Sequence, residues 1–496
     1  MGIVKRQGIK ATIVGYIGVL LGAFNLLFLY PACLSPSEIG LINLLVDTAT
    51  LFLPFLVLGG TAIAVRYFPY YKDPAHGHHG FLTLLLGIPS LLLFVFALLF
   101  FGGSEWLSAQ FSGKSPLFYR YFGLVLPLTV FLTYHTILEA YCRSLQRIVV
   151  NNLLREVFLR VASAILALLY FWHWLNTDLF VAWYVAMYAI ILLLLTLYVW
   201  QQGQLHLVRI NPGRITTKAR REMLVYGVFI LLGTLGGTVV YKIDTLMIGK
   251  YLGEADSGIY RVAYFIGLVV EMPRRALSQI AAPLVADAMR HEDIPHIADL
   301  YKRVGINQFI VGLLLFVGIW CNADNLFALM PNGGLFAGGK WVIFWVGITK
   351  VTDMVTSINE EIIGFSPYYR YTMLFMLVLI GVSIGLNWWL ILSMGITGAA
   401  MAAAICLIAY NFFKCLLIYV KYDIHPFGMG SFKTLFVGIV SGIIGMTMPI
   451  LPNTLADIIV RSLLIGVTFV LLIWKLRASP DLNEMTDKLL KKIISH

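Results

Sequence analysis

The sequence places a few ionisable side chains inside long apolar segments, where they are too deep to be ordinary surface charges. Arg274 and Arg275 are adjacent in one such segment, whose apolar pattern continues beyond them to Pro283. Because arginine binds phosphate oxygens through two parallel hydrogen bonds, two adjacent guanidinium groups at this depth are suited to a diphosphate. Arg66, at the end of another apolar segment, is a further candidate ligand. The alternative for all three is anchoring among lipid headgroups, and it is stronger for Arg66.

Two pairs of charged residues lie deeper in the apolar segments. Lys242 and Asp244 are two positions apart, so on a helix they point about 200° apart and cannot neutralise each other on one face. Lys350 and Asp353 are three positions apart and can form a local ion pair, which is the alternative to a direct role in binding. A charge within a span must reach water or a partner, so we expect these residues to mark a cavity. The predicted substrate ligands are Arg274, Arg275, Lys242, Arg66, Lys350 and Asn25, and the predicted ion-coupling carboxylates are Asp47, Asp244 and Asp353.

Other motifs that could carry chemistry are weak. His76, His78 and His79 crowd one loop, but without a second cluster of ligands they are typical of a solvated loop and not of a metal site. Residues 112–115 imitate the end of a phosphate-binding loop, yet Ser108 stands where the leading glycine is required. The five cysteines include no CxxC pair. We therefore expect no metal, no cofactor and no catalytic group.

Membrane-spanning helices are the elements predicted to position these residues. Of the 496 residues, 59% are hydrophobic and only 12% are charged, which is more apolar surface than a soluble domain can bury. The apolar runs are about 20 residues long, as a helix needs to cross about 30 Å of hydrocarbon. The polar stretches between them never exceed roughly 20 residues, too short for a soluble catalytic domain. The net charge of +11 comes from clusters at span ends, which argues against a nucleic-acid partner.

Fourteen spans are predicted, and the basic residues orient them. Most of the 36 lysine and arginine residues fall in loops on the same side as the N-terminus. The positive-inside rule therefore places both termini in the cytoplasm. The spans are residues 11–34, 39–65, 81–102, 118–141, 152–172, 178–200, 224–248, 258–281, 304–321, 341–363, 371–392, 396–420, 432–451 and 455–474.

An internal repeat divides the predicted helices into two groups. Gly15, Gly18 and Gly40 recur as Gly233, Gly236 and Gly258 at one constant spacing, which covers six spans. Because six is even, both halves share one orientation, and a pseudo-two-fold axis along the membrane normal should relate them. The predicted domains are an N-lobe (1–200), a cytoplasmic linker (201–223), a C-lobe (224–421), two extra helices (432–475) and an amphipathic cytoplasmic tail (476–496).

Several local strings resemble the O-antigen type of polysaccharide-biosynthesis flippase. They are Leu29-Tyr30-Pro31, the stretch 34–42 (LSPSEIGLI), Arg66-Tyr67-Phe68-Pro69, the stretch 244–260 (DTLMIGKYLGEADSGIY) and Met272-Pro273-Arg274. This family belongs to the superfamily of multidrug-and-toxin extruders and the lipid II flippase. The resemblance implies a V-shaped, two-lobe transporter that works by alternating access. It also implies an undecaprenyl-diphosphate-linked oligosaccharide as substrate, with membrane lipids and other polysaccharide-assembly proteins as partners.

Two other classes of membrane protein are alternatives. A multidrug extruder of the same superfamily binds cations and favours an acidic cavity, which the adjacent Arg274 and Arg275 oppose. A glycan polymerase or ligase needs a sizeable outward loop with acceptor-binding residues. The longest outward loop, residues 322–340, is short and carries one acidic residue, Asp324. The sequence therefore predicts a transporter and not an enzyme.

Overall fold

The protein is helical throughout the part of the chain that the structure describes. The computed structural model describes the backbone of residues 2–484 and the side chains of residues 13–274 and 281–484. Ten helical segments in this part are long and apolar enough to cross a membrane. The predicted all-α membrane fold is therefore confirmed. The chain forms two compact units, residues 1–258 and 259–496, whereas the predicted lobes 1–200 and 224–421 stay a prediction.

The first unit holds eleven helices and the start of a twelfth. The capping of α3 shows how local sequence sets a helix start: Ser35 Oγ accepts a hydrogen bond from the Glu38 N–H at 3.3 Å, and the Glu38 carboxylate accepts one from the Ser35 N–H at 2.7 Å. The helices are α1 (Gly2–Phe24), α2 (Tyr30–Cys33), α3 (Pro36–Val57), α4 (Gly60–Tyr71), α5 (Phe81–Ala109), α6 (Pro116–Tyr121), α7 (Val125–Ser144), α8 (Val149–Asn152), α9 (Leu159–Phe171), α10 (Thr177–Gln201), α11 (Thr217–Tyr251) and α12 (Glu254–Leu268).

Eight helices follow in the second unit, counted up to residue 484. A buried arginine links two of them: Arg461 Nη2 on α20 donates to both Asp457 carboxylate oxygens, at 3.0 and 2.9 Å, and Arg461 Nη1 donates to the Gly445 carbonyl of α19. Asn325 of α15 donates to the same carboxylate. The helices are α13 (Met272–Arg290), α14 (Ile294–Cys321), α15 (Ala323–Leu329), α16 (Lys340–Thr356), α17 (Asn359–Gly364), α18 (Arg370–Tyr422), α19 (Met429–Thr447) and α20 (Thr454–Lys475).

The fourteen predicted spans all correspond to helical segments, although some are interrupted. The predicted spans 152–172, 258–281 and 341–363 contain a π turn, a 3₁₀ turn and a helix break, respectively. α18 contains two predicted spans. They are separated at Gly395, whose φ of 62° ends the first helical stretch. A Cβ added to Gly398 would overlap with the Leu390 carbonyl, a residue that a continuous helix would hold about 12 Å away. The chain therefore reverses direction at Gly395.

Repeat-related residues meet at one point of the first unit. A Cβ added to Gly40 would overlap with the Glu254 carbonyl, and a Cβ added to Gly258 would overlap with the Pro36 carbonyl. Gly40 and Gly258 are equivalent positions in the repeat, and so are Pro36 and Glu254. The contact is therefore reciprocal, as a local two-fold axis requires. Only glycine at both positions permits this approach.

The histidine loop is not solvated throughout, so that expectation is wrong for His78. Its side chain is completely buried. His78 Nδ1 accepts a hydrogen bond from the Asp73 N–H at 3.0 Å, so Nε2 carries the proton and donates to Gln204 Oε1 at 3.1 Å. Asp73 Oδ2 also lies 2.8 Å from His76 Nδ1. The sequence interpretation missed these partners because Gln204 is distant in sequence and Asp73 was not counted with the histidines.

The predicted tail (476–496) is only partly described, because residues 485–496 lie outside the described residues. Ala478 and Ser479 near its start are buried within the second unit. Ser479 Oγ donates a hydrogen bond to Asn307 Oδ1 at 2.7 Å and accepts one from the Leu482 N–H at 3.4 Å. The predicted helix start at Ser479 is thus capped, and the amphipathic face beyond it stays a prediction.

Candidate functional site

A network of buried charges occupies the second unit. Lys350 on α16 lies 2.7 Å from the Glu271 carboxylate and 3.6 Å from Asp353 Oδ2. The local pair predicted from the spacing of Lys350 and Asp353 is therefore present. The shorter contact is to Glu271, in the 3₁₀ turn before α13. Sequence reasoning could not choose Glu271 as the partner, because the two residues are on separate helices.

Arg274 belongs to the same network. Its Nη1 lies 3.6 Å from Glu271 Oε1 and 3.9 Å from Asp353 Oδ2, and its side chain is 17% exposed. The structure thus brings Arg274, Lys350 and Asp353 together as predicted site residues. The side chain of Arg275 lies outside the described residues, so the paired-arginine site remains a prediction at that position.

Two residues of α18 complete the network, and sequence reasoning missed both. Asn411 donates a hydrogen bond to Asp353 Oδ1, which leaves Oδ2 between Lys350 and Arg274. Lys414 is only 2% exposed, and its Nζ lies 4.2 Å above the Tyr410 ring. The charges of Glu360, Asp353 and Arg274 act on Lys414. Lys414 was not a predicted site residue, because only the packing of α18 shows that it is buried.

The helix break between α16 and α17 lies directly beside this network. Ser357 has a φ of 44°, which is strained for a residue with a Cβ. Its N–H donates to the Asp353 carbonyl at 3.0 Å, and its buried Oγ has no hydrogen-bond partner among the described residues. Irregular backbone within a span is tolerated where it is buried in protein or lines a polar cavity. Breaks of this kind are common at the binding sites of transporters.

The first unit holds a second buried ion pair. Lys242 Nζ on α11 lies 2.5 Å from Asp47 Oδ1 on α3. Both were predicted site residues, but nothing in the sequence suggested pairing them across such a separation. Asp244, two positions further along α11, is also buried. The structure therefore brings Lys242 and Asp47 together, which neutralises one predicted cation with one predicted coupling carboxylate.

Asn25 and Arg66 have partners outside that pair. Asn25 is buried and donates a hydrogen bond to the Arg160 carbonyl at 2.7 Å, beside the π turn of residues 25–29. Arg66 is exposed, and its guanidinium lies 4.4 Å above the Tyr226 ring. Tyr226 precedes Lys242 on α11 by 16 positions, or about 24 Å along the helix. Arg66 and Lys242 therefore do not contact a common point of α11, and the binding roles of Arg66 and Asn25 stay predictions.

The chain matches a protein family model and is similar in fold to solved structures. The family model described as "Polysaccharide biosynthesis protein" matches residues 6–288. No curated protein sequence matches the chain significantly. A solved structure of the lipid II flippase MurJ in an inward closed conformation is similar, with a TM-score of 0.73, 11% sequence identity and coverage of 94% of this chain and 98% of that one.

Two multidrug transporters share the same architecture. An inward-facing MATE family transporter of the MOP superfamily gives a TM-score of 0.65 at 11% identity, covering 84% of this chain and 98% of the other. A point mutant of the Vibrio cholerae MATE transporter VcmN gives 0.53 at 13% identity, covering 85% and 98%. At such low identity these similarities establish the fold and leave the transported molecule open.

Proposed function

The chain belongs to the polysaccharide biosynthesis protein family, and from this premise we propose that it is a flippase for a lipid-linked oligosaccharide. The substrate would be an undecaprenyl-diphosphate-linked oligosaccharide, carried across the bacterial inner membrane by alternating access. The chain would act as a transporter and not as an enzyme. The fold shared with a lipid II flippase supports this proposal, because that protein is itself a flippase.

The observation that carries the proposal is the charge network of the second unit. A buried charge within a span is costly, so such groups are retained mainly where they serve a substrate or ion pathway. Arg274, Lys350 and Lys414 place three cationic groups near one another, opposed by Glu271 and Asp353. A diphosphate is a polyanion that a cluster of this kind attracts. We propose that the diphosphate binds Arg274 and Arg275, with Lys350 contributing, while Lys242, Arg66 and Asn25 contact the substrate elsewhere on its path.

The driving force would come from an ion gradient, the membrane potential or consumption of the product. The proposed coupling carboxylates are Asp47, Asp244 and Asp353, which are all buried. Asp47 and Asp353 each contact a cation that would also serve the substrate. Both termini are proposed to lie in the cytoplasm, from where the substrate enters.

A multidrug extruder is the second candidate, favoured by the fold shared with MATE transporters. Such a protein would move organic cations, which the cations of the second unit would repel. Transport of a cationic dye against its gradient by the purified protein would support this alternative. Failure to move such a dye, together with movement of the lipid-linked oligosaccharide, would support the flippase.

Translocation in vesicles tests the proposal directly. The purified protein is placed in liposomes that contain a fluorescent undecaprenyl-diphosphate oligosaccharide, and movement between leaflets is followed with a membrane-impermeant quencher. The variant Arg274→Ala with Arg275→Ala should lose translocation. The matched control is Arg303→Ala, which removes an exposed arginine whose Nε lies 2.9 Å from Asp299. Normal translocation by the double variant would refute the site, and no translocation by the native protein would refute the function.

A further inference from the structure

Arg274 lies between two carboxylates without binding either one closely. Its contacts with Glu271 and Asp353 measure 3.6 and 3.9 Å, whereas a charge-assisted hydrogen bond between guanidinium and carboxylate is about 2.7 to 2.9 Å. The guanidinium group of Arg274 makes no hydrogen bond to any side chain or backbone group in the described part of the chain. Its charge is therefore balanced while its N–H donors remain available to a ligand.

Each of the two carboxylates has a second partner. Glu271 contacts Lys350 at 2.7 Å, and Asp353 accepts a hydrogen bond from Asn411 and lies 3.6 Å from Lys350. Removing one member of a buried ion pair is costly because the other member is left uncompensated. That penalty is smaller when Arg274 leaves this network, because Lys350 still contacts Glu271 at 2.7 Å and lies 3.6 Å from Asp353.

Lys414 is a spare cation beside the same network. No ion pair of Lys414 is present among the described side chains, and its ammonium instead lies over the Tyr410 ring. A buried ammonium without a contacting carboxylate is unfavourable, so a state in which a carboxylate approaches it is stabilised. The charge of Asp353 already acts on Lys414. Asp353 therefore has a cation to approach when Arg274 engages a different anion.

From these contacts we propose that Glu271 and Asp353 are internal counter-anions of Arg274, which the phosphate groups of the substrate displace during transport. In the substrate-free state the two carboxylates neutralise Arg274. When phosphate binds the free guanidinium donors, Lys350 retains Glu271 and Lys414 takes up Asp353. The return of the carboxylates to Arg274 then promotes release. The identity of the phosphate as part of a lipid-linked sugar rests on the proposed function, whereas the exchange itself rests on the contacts.

Exchange predicts that removing one counter-anion tightens phosphate binding and slows transport. Asp353→Asn removes the charge and preserves the size of the side chain. Binding of inorganic pyrophosphate and of farnesyl diphosphate to the full-length protein in lipid nanodiscs is measured by calorimetry. We expect Asp353→Asn to bind both probes about tenfold more tightly, with slower translocation at saturating substrate, because the phosphate no longer competes with Asp353. The gain should vanish when Arg274→Gln is added.

Two further variants keep the test decisive. Asp324→Asn removes an equal charge from an exposed pair with Lys340 in the same unit and should leave binding unchanged. Lys414→Met removes the cation that receives Asp353, so it should weaken pyrophosphate binding several-fold. If Asp353→Asn does not fold, weaker binding by Lys414→Met supports the exchange and unchanged binding overturns it. Unchanged or weaker binding by folded Asp353→Asn also overturns the exchange.

The two proposals fail in distinguishable ways. Translocation by the native protein without tighter binding in Asp353→Asn refutes the exchange and leaves the flippase function standing. Tighter binding through Arg274 in a protein that moves no lipid-linked oligosaccharide refutes the proposed function. In that case the exchange stands and serves another phosphate-bearing substrate.

Discussion

Replacing Lys242 with methionine should destabilise the protein far more than replacing Asp47 with asparagine, although both changes break the same ion pair. The two groups are 2.5 Å apart, but the Asp47 side chain is 4% exposed and the Lys242 side chain is 28% exposed. At an effective dielectric constant of about 20, a pair at this separation attracts by roughly 6 to 7 kcal/mol before the cost of desolvation. The net effect of breaking the pair depends on which group is left behind.

The two single variants leave different groups without an ion-pair partner. Lys242→Met leaves a carboxylate in a buried site, and removing one partner of a buried pair costs about 3 to 5 kcal/mol. Asp47→Asn leaves an ammonium that can extend toward water, so about 1 kcal/mol is expected. The double variant, Lys242→Met with Asp47→Asn, leaves no charge without a partner, so it should be more stable than Lys242→Met alone.

Thermal unfolding of the detergent-purified variants measures this order at pH 7. Lys242→Met should lower the melting temperature by roughly 5 to 10 °C. Lys340→Met is the control, because its pair with Asp324 is exposed and should contribute at most about 1 kcal/mol. Equal shifts for Lys242→Met and Asp47→Asn would show that Asp47 is not a buried charge dependent on Lys242.

Two further predictions concern packing and orientation. Gly40→Val should lower the free energy of unfolding by at least about 1 to 3 kcal/mol and impair transport, because the new side chain would overlap with the Glu254 carbonyl. The control Gly87→Val should be tolerated, because a Cβ at Gly87 meets nothing within 4 Å. Equal melting temperatures for the two variants would contradict the close approach at Gly40. In a cysteine-free background, cysteines introduced at Lys218 and His496 should both be labelled only from the cytoplasmic side. Labelling from opposite sides would refute the proposed orientation.

Properties that depend on neighbours in sequence were predictable. The apolar runs predicted the helices, because a helix satisfies its own backbone hydrogen bonds and needs only length and hydrophobicity to cross a bilayer. The spacing of Lys350 and Asp353 predicted their contact, since residues three apart share a helix face. The repeat identified Gly40 and Gly258 as equivalent, though not as touching.

The helix breaks were not predictable in the same way. Ser357 lies in an apolar segment without glycine or proline beside it, yet the helix ends there. A strained φ persists only where surrounding contacts determine it, and those contacts come from other helices. The reversal at Gly395 was easier to anticipate, because glycine marks a point where the backbone can leave the helical region.

The sequence by itself determined which charges enter the membrane, and only the tertiary structure decided their partners. Asp47 was predicted as a coupling carboxylate and Lys242 as a substrate ligand, yet they are one ion pair between α3 and α11. Lys414 was not among the predicted site residues, yet it is buried beside Asp353. The cost of burying a charge is local and can be inferred from residue type and depth. The group that offsets this cost comes from a distant helix, and its position depends on how the whole set of helices packs.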